Sequence, residues 1–211
     1  MAKMIGVFSH IKGKIGNMIY ATWHGVQVIK TMFIPANPQS ADQTSHRDIF
    51  LFLVQLGELI FDDIITVIWN PFRRKASSGW SNWLKANLLL QTGATIDYSI
   101  FVLSQGSISP SAITSSVYTT GTGACVITFP ATALNNQDVL DYAGAFVIDD
   151  VSDNNYYNDE LVAQRKDGTI TVTCATGLTP ANCHAYLFFV RKSGTVITKV
   201  SNSTYLICSA P

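Results

Sequence analysis

The chain has 211 residues, enough for one large domain or two small ones and for a real core. Apolar residues make up 47% and charged residues only 13%, about half the usual share, and formal net charge is zero. This argues against a dedicated nucleic-acid binder, which needs a strongly basic balance, and leaves a surface with little self-repulsion. The charge is unevenly spread: residues 1–92 hold nine Lys/Arg against five Asp/Glu, and residues 93–211 hold five against nine. Halves of opposite sign favour head-to-tail contact between copies.

The opening text, MAKMIGVFSHIKGKIG, lacks the continuous apolar run of a secretory signal. Residues 1–17 read as a basic, glycine-punctuated arm. Two β-prone runs follow, Met18–Trp23 and Val26–Phe33, joined around His24-Gly25. They predict a hairpin, and an isolated hairpin is marginal in water, so it needs the rest of the chain or another copy as partner. Gly13, Gly16 and Gly25 permit a left-handed backbone or close approach, and Trp23 is a large anchor beside the turn. Pro35 and Pro38 then hold the chain extended and stop pairing.

Ser40 with Gln43 three residues on makes a capping-box pattern. Ile49, Leu53, Leu56, Ile60, Ile64 and Ile68 recur at steps of three and four, one helical stripe. Phe50, Phe52, Phe61 and Val67 widen it, which predicts burial on more than one side. Ile49–Trp69 is apolar enough to suggest a membrane span, but Glu58, Asp62 and Asp63 inside it point to a core helix. Asn70-Pro71 ends this helix. Arg73-Arg74-Lys75 suits its C-terminal dipole, and a shorter helix follows near Trp80–Leu90.

From about Thr92 the text turns Ser/Thr/Gly-rich with short β runs. Strands are expected at Tyr98–Ser104, Ser116–Thr119, Ala124–Phe129, Ala143–Asp149, Leu161–Gln164, Thr169–Thr173, His184–Arg191 and Tyr205–Cys208. Asp167-Gly168 and Ser193-Gly194 are turn signals between them. The expected fold is α+β. A β-hairpin and α-helical hairpin occupy residues 1–92, and an Ig-like antiparallel β-sandwich occupies 93–211.

Several stretches in order, Gly13-Lys14-Ile15-Gly16-Asn17 with Trp23-His24-Gly25, Asn37-Pro38 with Gln43 and Arg47, and Ile96-Asp97-Tyr98-Ser99 with Leu103-Ser104-Gln105-Gly106, carry a resemblance. With the closing Ala185–Val190 and Ser201–Leu206, the chain resembles an uncharacterised domain family of bacterial and phage genomes. The resemblance implies a hairpin-and-helix region before an Ig-like domain, and points to virion or surface-structure proteins. The four cysteines and the very apolar first helix depart from it.

Catalytic motifs are not legible. Gly13-Lys14 fails as a phosphate loop, since Phe8 stands where its first glycine belongs and Ile15 follows the lysine. His10, His24, His46 and His184 are scattered. Cys125, Cys174, Cys183 and Cys208 read as reduced thiols by default, with a disulfide or a zinc site at Cys174, Cys183, His184 and Cys208 as the rarer alternatives. Asp149–Asn155 with Asp159-Glu160 offers a calcium-like set of oxygens but not the EF-hand order. Lys3, Lys12, Lys14, Lys30 and Arg73-Arg74-Lys75 give only a modest basic face for nucleic acid.

The sequence therefore leads to a non-enzymatic, self-assembling virion subunit (capsid, tail or filament), without cofactor or metal, whose partners are itself and other virion proteins. Its expected contacts are Ile15, Met18, Ile19, Tyr20, Trp23, Val26, Val28 and Ile29 of the hairpin, with Phe50, Phe52 and Phe61 of the helix. The alternative is a monomeric surface adhesion module that stacks sugars on Tyr142, Tyr156 and Tyr157.

Overall fold

The computed structural model describes residues 2–3, 12–24, 26–32, 39–71, 77–91, 96–131, 140–151, 156–159, 161 and 163–211. Contacts divide the chain into two units, Met1–Ser40 and Ala41–Pro211. The sequence reading puts the boundary near residue 92. The helices instead belong with the C-terminal sheets, because their apolar stripe is buried on them.

The first unit is a four-stranded antiparallel sheet. Its strands are β1 (Ala2–Lys3), β2 (Gly13–Ile15), β3 (Met18–Trp23) and β4 (Val26–Thr31), in the order β1-β4-β3-β2. The expected hairpin is β3–β4, with Trp23 opposite Val26, so the connection is two residues long. His24 sits at φ +47, the left-handed geometry that a two-residue hairpin turn demands. Gly16 at φ +58 serves the second tight turn, where Ile15 lies opposite Met18. Phe33, Gly25 and most of the arm lie outside the described residues. The described parts of the arm supply both outer strands.

The second unit has three layers. Helix α1 (Ala41–Leu59) runs through Ile60 into a segment, Phe61–Trp69, with hydrogen bonds five residues apart, as from Ile65 N–H to Ile60 O (3.3 Å) and Asn70 N–H to Ile65 O (2.9 Å). The wider turn brings Ile64, Ile65, Ile68 and Trp69 inward together with Ile60, while Phe61, Asp62 and Thr66 stay at the surface. Helix α2 (Gly79–Leu88) starts at Ser78, whose hydroxyl accepts from Ser81 N–H at 3.1 Å. No helix among the described residues is long and apolar enough to cross a membrane.

The strands of this unit are β5 (Ser115–Thr119), β6 (Ala124–Thr128), β7 (Tyr142–Asp149), β8 (Tyr156–Asp159), β9 (Thr169–Thr173), β10 (Cys183–Ser193), β11 (Val196–Val200) and β12 (Thr204–Ile207). They form two antiparallel sheets, β5-β6-β9 and β11-β10-β7-β8, with β12 also paired to β10. Strands β7 and β10 are buried on both faces. Alternate residues Ala143, Ala145, Val147, Ala185, Leu187 and Phe189 meet Cys125, Ile127, Ile170 and Val172 of the smaller sheet. The other set, Phe146, Ile148, Tyr186, Phe188 and Val190, meets Leu53, Ile60, Ile64 and Trp83 of the helices.

Two expected strands are not strands. At 98–104 the Asp97 carboxylate accepts from Ser99 N–H (2.9 Å) and Oγ (2.6 Å), which closes a short helical turn at Tyr98–Ile100 instead. Those bonds also hold the Asp97 pKa below its ordinary value. Among the described residues of 161–164, Leu161 turns at φ +46 and Gln164 makes an isolated bridge to Tyr142. The structure adds β8 and β11, which the sequence reading passes over.

Candidate assembly surface and other sites

In strands, directly opposed residues share a face, so the register sorts the expected contact residues of the first unit. Ile15, Met18, Tyr20 and Ile29 fall on one face. Ile19, Ala21, Val26 and Val28 fall on the other, with Lys14 and Lys30 flanking Ile19 in one row. Tyr20 Oη reaches Met18 Sδ at 3.8 Å along the first face. Both faces are therefore apolar at the centre. None of the described side chains of this unit is buried; Ile15 is 56% and Met18 50% exposed. Trp23 ends β3 opposite Val26, and its side chain lies outside the described residues.

Residues 1–40 contain four lysines and no Asp or Glu, a charge of +4; residues 41–211 carry the balancing −4. In the second unit, the outer side of α1 and the segment after it exposes Phe50, Leu51, Leu59 and Phe61. Exposed Asp48, Glu58 and Asp62 stand among them. Of the three helix residues expected at contacts, Phe50 and Phe61 are at the surface, the latter with its ring 6.0 Å from Trp80. Phe52 turns inward and meets Tyr98 edge-on at 6.1 Å. It belongs to the core margin.

The three tyrosines expected to stack sugars do not share one platform. Tyr156 lies flat against Phe146 at 5.1 Å, and its hydroxyl donates to Asp63 Oδ2 at 3.0 Å. Tyr157, the next residue, packs against the opposite core. Tyr142 is on the helix-side face but six residues along β7 from Ile148, the partner of Tyr156, or roughly 20 Å away. Lys192 Nζ covers its ring at 4.5 Å. Between them lies a cleft of about 250 Å³, walled by Ile64, Val67, Leu161 and Phe188 and rimmed by Asp62, Asp63, Asn158 and Lys192. Asn158 Nδ2 donates to Asp63 Oδ2 at 2.8 Å, so that carboxylate is already engaged. A wider, shallower groove of about 900 Å³ runs along α2 beneath Leu89 and Leu90.

His184, considered from sequence only as a rare zinc ligand, sits instead in an organised polar and aromatic cluster. Its ring stacks on Tyr98 at 4.1 Å; Nδ1 lies 2.9 Å from Tyr205 Oη and Nε2 lies 3.4 Å from Asp150 Oδ2. Both nitrogens are engaged within the fold. The visible signal was Asp149-Asp150 and Cys183-His184, which the β7–β10 register brings side by side.

Among the described residues no group of three His, Cys, Asp or Glu could hold a metal ion. Ser152–Asn155 and Glu160 of the expected calcium loop lie outside them, as does Arg73-Arg74-Lys75. All four cysteines are free thiols and buried. Burial raises Cys174 and Cys183 to about 12. No protein family, curated protein or solved structure matches the chain.

Proposed function

We propose that this protein is a non-enzymatic structural subunit that assembles head to tail, the N-terminal sheet of one copy docking on the exposed helix face of the next. The observation that carries the proposal is a four-stranded sheet with apolar residues on both faces and no buried side chain among those described. Sheets persist when at least one face is covered, and fully burying one aliphatic side chain is worth about 1.5–3 kcal/mol. A layer with Ile15 and Met18 exposed and Ile19, Val26, Val28 and Ile29 only half-buried is an interface in search of its other half. Its outer strands, of two and three residues, leave little edge for open-ended strand pairing, so face-to-face packing is the favoured mode.

The helix face of the second unit is the matching surface: apolar residues interleaved with Asp48, Glu58 and Asp62, against a sheet that carries lysines and no acids. The resemblance of the Gly13–Gly25 text to virion and surface-structure proteins directs the proposal to a virion shell, tail or filament. We also read the two packed sheets as immunoglobulin-type. The order β5-β6-β9 against β8-β7-β10-β11 corresponds to A-B-E against C′-C-F-G, with β12 continuing the last edge.

Light scattering and negative-stain electron microscopy of the full chain test this reading. Wild type should give regular multimers, and Leu51→Asp, at a position 55% exposed, should give folded monomers. A wild type that stays monomeric at about 100 µM, where an interface of micromolar Kd would be largely occupied, contradicts it.

A further inference from the structure

The C-terminal residues cross from one sheet to the other. Cys208 N–H donates to Cys183 O of the larger sheet at 2.9 Å, and the next residue, Ser209, donates to Ser116 O of the smaller sheet at 2.8 Å. Ser209 O in turn accepts from Tyr118 N–H at 2.9 Å, so one residue is clamped from both sides along β5. At the crossing, Cys208 Sγ lies 3.5 Å from Cys125 Sγ of β6, and Ser116 Oγ lies 3.1 Å from Cys208 Sγ and 3.6 Å from Cys125 Sγ. Two thiols from different sheets, 83 residues apart in sequence, are thus in van der Waals contact.

We infer that Cys125 and Cys208 are a modification site: a dithiol that closes into an inter-sheet disulfide when the protein meets a low-molecular-weight disulfide. The step is exchange. One cysteine thiolate attacks the small disulfide and expels a thiolate, forming a mixed disulfide. The second cysteine then attacks the protein sulfur and expels the other half as a thiolate. The two protons released by the cysteines end on the two small thiols, so the protein loses two hydrogens and the small disulfide gains them.

The surroundings favour Cys125 as the first attacker. Hydrogen bonding from Cys208 and then from Ser116 favours the Cys125 thiolate, against the cost of burial, and holds its pKa below the ordinary thiol value. The bond from Cys125 and burial push Cys208 the other way. Access comes by local opening of the strap. Ser209, Ala210 and Pro211 are exposed, and Ile207 is 45% exposed, so releasing the bonds of Cys208 and Ser209 lifts this strap off Cys125 while β6, β7 and β10 stay paired. The bond closes a long loop and pins the strap that joins the sheets.

Oxidised glutathione is the probe. The native full chain, incubated with it and quenched with acid, should lose two hydrogens in intact mass, and peptide mapping should join Cys125 to Cys208. Thermal denaturation of the oxidised form should move up by about 10 °C, reversibly with a dithiol reductant, as expected for a long-loop disulfide in a chain of this size. Cys174→Ser should keep the shift and Cys208→Ser should abolish it. Mapping on wild type needs no variant to fold. No disulfide at equilibrium, a bond mapped to Cys174–Cys183, or an oxidised form no more stable than the reduced one would each overturn the proposal.

Discussion

Single residues show how little slack the second unit has. Gly57 lies where α1 meets α2, and a Cβ there would come within 2.6 Å of the Trp83 ring and 2.8 Å of Trp80. Trp83 is fully buried and pressed edge-on to Phe101 at 5.8 Å, so it has nowhere to retreat. Gly57→Ala gains about 1 kcal/mol of helix propensity but meets an overpacking cost of about 1–3 kcal/mol. The net expectation is a destabilised protein, read as a lower urea midpoint. Titratable residues make a second prediction. Burial, then Asp150 and Asp149, raise the Tyr98 hydroxyl to about 12, and burial raises the Cys174 and Cys183 thiols to about 12. Their unfolded counterparts ionise near 9.0 for Cys and 10.0 for Tyr. A raised folded pKa means the stabilisation is complete below the unfolded value and is lost as pH climbs to the folded one. Urea midpoints should therefore hold up to about pH 9 and fall between there and pH 12. A midpoint flat across that range would mean these groups ionise equally well in the folded state.

At the scale of elements, Asn87 ties α2 to the segment that leads into the sheets. Its Nδ2 donates to Trp83 O (3.0 Å) and Val102 O (2.9 Å), and its Oδ1 accepts from Val102 N–H at 2.7 Å. Asn87→Ala leaves both Val102 groups, which are half-buried, without their partner and should cost about 1–3 kcal/mol, measured by urea unfolding. A loss under about 0.5 kcal/mol would mean water replaces the amide. The stripe Ile49–Ile68 was legible because helical spacing shows in the text. The widened turns after Ile60 were not, because apolar residues at steps of four and five still pass for an ordinary helix. Strands β6, β7, β9 and β10 were legible from alternation and turn residues. Tyr98–Ser104 misled because its aromatic and β-branched residues look strand-like, while the decisive term is one local Asp97–Ser99 bond. The Tyr156-Tyr157 pair looked like a stacking site, yet consecutive strand residues point to opposite faces, which the text shows only once the strand is recognised.

For the whole molecule, the division after Ser40 separates a unit with a double core from one with none among its described residues. The charge follows the same line, +4 on one side and −4 on the other. Apolar burial holds the proposed contact and charge selects its partner, so multimers should survive about 0.5 M salt while forming more slowly there. Dissociation by salt alone, followed by light scattering, would mean that charge and not burial holds the copies together.

The most direct measurement uses two surface-broken variants of the full chain. One carries Ile15→Asp and Met18→Asp on the sheet; the other carries Leu51→Asp and Phe61→Asp on the helix face, all at exposed positions. Each alone should be monomeric by analytical ultracentrifugation. Mixed, they should form a one-to-one dimer and stop there, because each keeps the surface the other lacks. Two monomers that ignore each other, while wild type still multimerises, would contradict head-to-tail docking of the sheet on the helix face.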